Sequence, residues 1–172
     1  MYSKVTILGH PLHPMLVSFP IAFYTGSLVG YILYGITASH FWFHLAFALN
    51  VGGVGMALVA AIPGFLDWLL GIPNGTKAKT HGLEHMALNV SALVLFAITL
   101  GLNAGQWDAV APPASYSIIL SAIGVLCTIG AGYLGWTLVQ THHIGIQINP
   151  EVERCIEEGS NGGMSDIRKR AA

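Results

Sequence analysis

The chain has 172 residues, of which 53% are hydrophobic and only 9% charged, with a formal net charge of −1. An average soluble domain carries roughly a quarter charged residues, so this composition excludes an ordinary globular enzyme, a disordered chain and a nucleic-acid binder with a basic face. It is the composition of a membrane protein.

Residues 1–14 lack the order of a secretory signal, so the first apolar run is expected to stay in place as an anchor. About 20 apolar residues cross a hydrocarbon core of about 30 Å. Four such runs are present, at residues 15–36, 41–70, 82–102 and 115–139, and no charge interrupts the middle of any. Residues 71–80 between the second and third runs read as a polar turn. The loop at 103–113 ends in Pro112-Pro113, just before the fourth run. Past Gly145 the chain turns acidic and then basic. Asn149-Pro150-Glu151 reads as the start of a short surface helix running to Glu158, stopped by Gly159. Residues 160–172 are expected to fray. The fold expected is therefore all-α: a four-helix transmembrane bundle over residues 1–146, with a partly disordered cytoplasmic tail at 147–172. Cys127 lies in an apolar run and Cys155 in the tail, so both read as reduced thiols.

With four spans, both termini and the 71–80 loop share one face. All seven basic residues fall there (Lys4, Lys77, Lys79, Arg154, Arg168, Lys169 and Arg170), while the loops opposite hold only Asp108. The positive-inside rule makes the basic face cytoplasmic, which in a bacterium means the inner membrane. The four tryptophans fall near span ends, where indoles favour the interface.

The chain also resembles itself. His10-Pro-Leu-His13-Pro-Met opens the first span and His81-Gly-Leu-Glu-His85-Met the third, at offsets of 71 or 72. Gly64-Phe-Leu-Asp67-Trp68 closes the second span and Gly132-Tyr-Leu-Gly135-Trp136 the fourth, at an offset of 68. Two parallel-repeat hairpins about a pseudo-two-fold axis along the membrane normal are expected. The pairs Gly26/Gly30 and Ala131/Gly135 suit close helix packing.

Six of the eight histidines, His10, His13, His81, His85, His142 and His143, belong to the cytoplasmic ends of the spans, with Asp67 and Glu84. Imidazole is the commonest metal ligand, and ionisable groups at membrane depth are functional candidates. His13 serves equally as a ligand or as a cap before Pro14. His81 and His85 share one helical face, continued by Asn89, but the glutamate order rules out a zinc-protease motif. Asp67 is expected in a structural or orienting role, paired with Lys77, Lys79 or an imidazole. Interfacial placement accounts for His40 and His44. Nothing resembles a phosphate loop, a nucleophile triad or a CxxC pair.

Gly9-His-Pro-Leu-His-Pro-Met-Leu-Val17 with Phe19-Pro20 resembles the opening signature of the bacterial membrane-protein family known as domain of unknown function 2231. Asp67-Trp68-Leu69, His85-Met-Ala-Leu-Asn89 and Gly132-Tyr-Leu-Gly-Trp-Thr-Leu-Val139 match it similarly, and the resemblance covers about residues 9–146. Where the family reads His-Gly-Val-Gly-Val, this chain has His142-His143-Ile-Gly145-Ile146. That makes His142 the family position and His143 a departure; His81 has no clear counterpart. Domains similar to this one stand beside Rieske or c-type cytochrome domains, so the resemblance implies electron transfer.

The leading expectation is thus a b-type haem module, an oxidoreductase component relaying electrons from quinol or a redox partner protein. Its cofactor ligands would come from His13, His85, His142 and His10, supported by Asp67 and Asn89. His13 and His85 are related by the repeat and approach the axis from the first and third spans, with His142 as alternative partner. A second reading has His13, His85 and His142 hold a Zn, Fe or Cu ion, structurally or on a transport path. A third is a scaffold subunit or homo-oligomer without cofactor. No nucleic-acid partner is expected.

Overall fold

The computed structural model describes residues 3–146 together with Glu151, Arg154 and Cys155. The surface helix and frayed end expected beyond residue 146 lie, those three residues apart, outside the described residues. A small hairpin, β1 (Thr6–Ile7) and β2 (His10–Pro11), precedes α1 (Leu12–Leu16), α2 (Ser18–Thr37), α3 (His40–Gly71), α4 (Lys77–Asn103) and α5 (Ser115–Gln140). With α1 and α2 counted as one run, four helical segments of 26, 32, 27 and 26 residues are long and apolar enough to cross a membrane. At 1.5 Å per residue the shortest reaches about 39 Å, more than the hydrocarbon core requires. The architecture is an all-α bundle.

Helix ends depart from the expectation for local reasons. α4 begins at Lys77, inside the stretch read as a turn, because Thr76 caps it: its Oγ1 accepts the Lys79 backbone N–H at 3.2 Å. The C-terminal carbonyls of α3 are orphans by helix geometry. The Lys79 ammonium takes up those of Trp68 and Ile72 at 2.5 and 3.2 Å and lies 4.1 Å from the Trp68 ring centroid. α1 begins at Leu12 behind Pro11, so His13 lies within the helix and is not its cap.

The bundle is apolar outside and polar within. Leu58, Ile62, Leu126 and Ile129 face outward, whereas Ser27, Asn50, Thr99, Asn103, Ser117 and Ser121 are fully buried. Lipid tails cover the first set, and within the second Ser27, Asn103 and Ser117 bond helix to helix. Ser27 Oγ donates to the Ala46 carbonyl at 3.0 Å, where Gly30 lets α2 approach so closely that a Cβ there would stand 2.9 Å from the Ala46 Cβ. Asn103 Nδ2 donates to Ser117 Oγ at 2.9 Å and joins α4 to α5.

α2 packs on α3 and α4 on α5; α2–α5 and α3–α4 contacts join the hairpins into a ring. Across its centre, Tyr24 stacks on Phe96 with centroids 3.8 Å apart and planes 1° from parallel. The two residues are 72 positions apart. Each presses on a glycine of the other helix of its own hairpin, Tyr24 on Gly53 and Phe96 on Gly124, themselves 71 apart. These paired contacts put the pseudo-two-fold axis between the two rings. They also correct the register: Gly64 is equivalent to Gly135, and the 68-residue match of Gly64 with Gly132 is a likeness of local sequence alone.

Candidate functional site

His13 and His85 occupy equivalent places in the two hairpins. The Nδ1 of His13 lies 2.8 Å from the Ala60 carbonyl of α3, and the Nδ1 of His85 lies 2.7 Å from the Ala131 carbonyl of α5. A carbonyl only accepts. Each Nδ1 therefore carries a ring proton, and in the neutral ring Nε2 has the lone pair. Both rings press on a glycine of the facing helix: a Cβ at Gly64 would stand 2.6 Å from His13 Cε1 and Nδ1, and one at Gly135 would stand 3.2 Å from His85 Cε1. The two imidazoles meet across the axis with centroids 6.3 Å apart and planes at 87°.

Both rings line a cavity of about 650 Å³ at the chain-terminal end of the bundle. Its wall is mainly aliphatic and aromatic, and Tyr24 reaches it from below. Among the described residues the Nε2 of His13 makes no hydrogen bond, while the Nε2 of His85 receives one from Asn89 Nδ2 at 3.1 Å. Asn89 lies one helical turn beyond His85 and bonds its ring.

The other expected residues separate from this pair. His142 turns to His81 instead, with Nδ1 of His81 and Nε2 of His142 3.0 Å apart. His10 is exposed in the N-terminal hairpin and bonds its own chain at Leu8 O, 3.0 Å away. His143 follows with a left-handed backbone, φ 52°. Asp67 engages no imidazole. Its carboxylate accepts from Ser3 Oγ at 2.6 Å and from the backbone N–H groups of Lys4 and Val5 at 2.7 and 3.1 Å, fastening the N-terminal hairpin to the end of α3. Lys79, one of its expected partners, is committed to the α3 carbonyls. Among the described residues no group of three or more His, Cys, Asp or Glu forms a metal cluster. At the opposite end, the Nε2 atoms of His40 and His44 donate to the carbonyls of Val110 and Trp107 at 2.9 and 3.0 Å and pin the loop between α4 and α5.

Known proteins bear on this arrangement at one point. A family model described as a predicted membrane protein, DUF2231, matches residues 9–148. The chain belongs to this family. No curated protein and no solved structure matches it. The matched stretch contains His13, His85, both anchoring carbonyls and the four spans, so the paired site lies wholly within the DUF2231 domain.

Reading the residues in isolation missed Gly64 and Gly135, which make the space for the two rings, and Ala60 and Ala131, which fix them. The signal that finds them is the internal repeat taken at an offset of 71, because a feature needed twice then appears twice.

Proposed function

We propose that this membrane protein is an electron-transfer module that holds one b-type haem between His13 and His85. The separation of the two rings carries the reading. Imidazoles on opposite sides of one metal atom place their centroids about 6 Å apart, two bonds of about 2 Å plus the ring radii. On one tetrahedral ion the figure is about 5 Å. At 6.3 Å apart, His13 and His85 have the spacing of two imidazoles that would hold one haem iron between them.

The surroundings fit as well. An Nδ1–H bond to a carbonyl is the usual support of a ligating histidine: it fixes the ring and raises the basicity of Nε2. A largely apolar cavity of about 650 Å³ lies within the range of small-molecule and cofactor sites, about 300–1,000 Å³. Asn89, an exposed residue on α4, has to turn off the Nε2 of His85 for that nitrogen to bind metal. Bound haem supplies a one-electron couple. The chain's part is to hold the two rings, to exclude water from the pocket, and to set the potential through burial and the two carbonyl bonds. In this reading a membrane quinol or a docked redox protein exchanges the electron, and the positive-inside rule supports a bacterial inner membrane with the site near the cytoplasmic face.

Purified protein expressed with added iron and haem precursor is expected to show a Soret band and reduced α and β bands, all lost in His13→Ala and in His85→Ala but kept in His10→Ala. Wild-type protein without any Soret absorbance overturns the proposal and leaves the metal-ion and scaffold readings.

A further inference from the structure

His81 and His142 form a second imidazole pair of different geometry. Their facing nitrogens are 3.0 Å apart, their centroids 5.1 Å, and their planes at 51°. Two imidazole nitrogens each about 2.0–2.1 Å from one ion stand about 2.9 Å apart in an octahedral shell and about 3.3 Å apart in a tetrahedral one, with centroids about 5 Å apart. The pair at the rim of the bundle has the spacing of adjacent ligands on a single ion, where the pair inside has that of opposed ligands.

We propose that His81 and His142 form a site for one divalent first-row transition ion, zinc or copper, that bridges the start of α4 to the segment leaving α5. Both carriers are fixed before any ion arrives. His81 lies in the second turn of α4. The His142 N–H donates to Thr137 O at 3.3 Å, and Ile144 N–H donates to Leu138 O at 3.0 Å, folding the segment back on the end of α5. Both rings are half-buried, so water reaches the pair and completes the shell. Neutral imidazole suits these ions without the deprotonation a thiol needs. Among the described residues no third His, Cys, Asp or Glu joins the pair, so water supplies the remaining ligands and binding is weaker than at a closed four-ligand site. Without the ion, one ring's N–H donates to the other ring's nitrogen at the same spacing. The site uses neither His13 nor His85 and stands apart from the haem reading.

Equilibrium dialysis of the tag-free, full-length protein in detergent against zinc chloride, followed by metal analysis, tests it. The expected result is one zinc per chain, weakened by about tenfold or more in His81→Ala and in His142→Ala. His10→Ala and His13→Ala are expected to retain it, the latter even while losing any Soret band. Copper(II) loaded into the wild type is expected to show hyperfine coupling to two imidazole nitrogens, a readout that needs no variant to fold. Absence of zinc binding, zinc that survives both substitutions, or copper coupled to one nitrogen only overturns the proposal.

Discussion

At Gly64 the ring of His13 lies closer than any side chain tolerates. A Cβ would stand 2.6 Å from two ring atoms, against 3.2 Å for the nearest atom of His85 at Gly135. The His13 ring cannot simply back away, because its Nδ1–H is committed to Ala60. Gly64→Ala is therefore expected to cost about 1–3 kcal/mol through overpacking and, under the proposed function, to lower haem occupancy. Gly135→Ala, where a few tenths of an ångström suffice, should cost markedly less. Denaturant titrations in detergent, followed by tryptophan fluorescence, rank the two, and equal losses sink this account of the pocket. The histidines stood out in the sequence because imidazole is rare and chemically loud in an apolar chain. Glycine is common here, 21 residues, and nothing local ties Gly64 or Gly135 to a histidine.

Among the elements, long helices announce themselves and short ones do not. Four apolar runs located the spans to within a few residues because backbone satisfaction in lipid forces each run to be helical throughout. The N-terminal hairpin gave no such signal: two strands of two residues each are too short to show a period. Its turn rests on Leu8 and Gly9, both at positive φ, 50° and 79°, the geometry that favours a tight hairpin. Its hold on the bundle comes from Asp67, 60 residues away in the chain. Asp67→Ala is expected to release that hold, speeding hydrogen exchange at the Lys4 and Val5 amides by at least about tenfold, or 1.4 kcal/mol, while exchange in the four spans stays unchanged. Unaltered exchange at those two amides would show that the carboxylate is not what fastens the segment.

For the whole molecule, the even number of spans ties both described chain ends and the loop after α3 to one side of the bilayer. The basic residues on that side predict how the bundle is oriented. In a background with Cys127 and Cys155 replaced by alanine, a cysteine at Lys77 is expected to react with a membrane-impermeant maleimide only after cells are opened, and one at Asp108 in intact cells. The reverse pattern inverts the orientation and moves the histidine site to the outer face. The pseudo-two-fold axis has its own consequence. It brings His13 to His85 and Tyr24 to Phe96 because a residue near the axis in one hairpin meets its own counterpart from the other.

Composition and run length were sufficient for the class of protein and the number of spans, since each follows from local chain chemistry in a bilayer; self-similarity gave the repeat, and the packing corrected its register. The family match agrees with the first of these, the class of protein. The tertiary structure decided which imidazoles meet. Six histidines at one end of a bundle admit many pairings, and helix rotation about the axis chose two: His13 with His85 inside and His81 with His142 at the rim. It also sent Asp67 to the N-terminal hairpin and His10 to solvent. Helix rotation depends on contacts between residues far apart in the chain, such as Tyr24 on Gly53 and Phe96 on Gly124, and those contacts exist only once all four helices have packed.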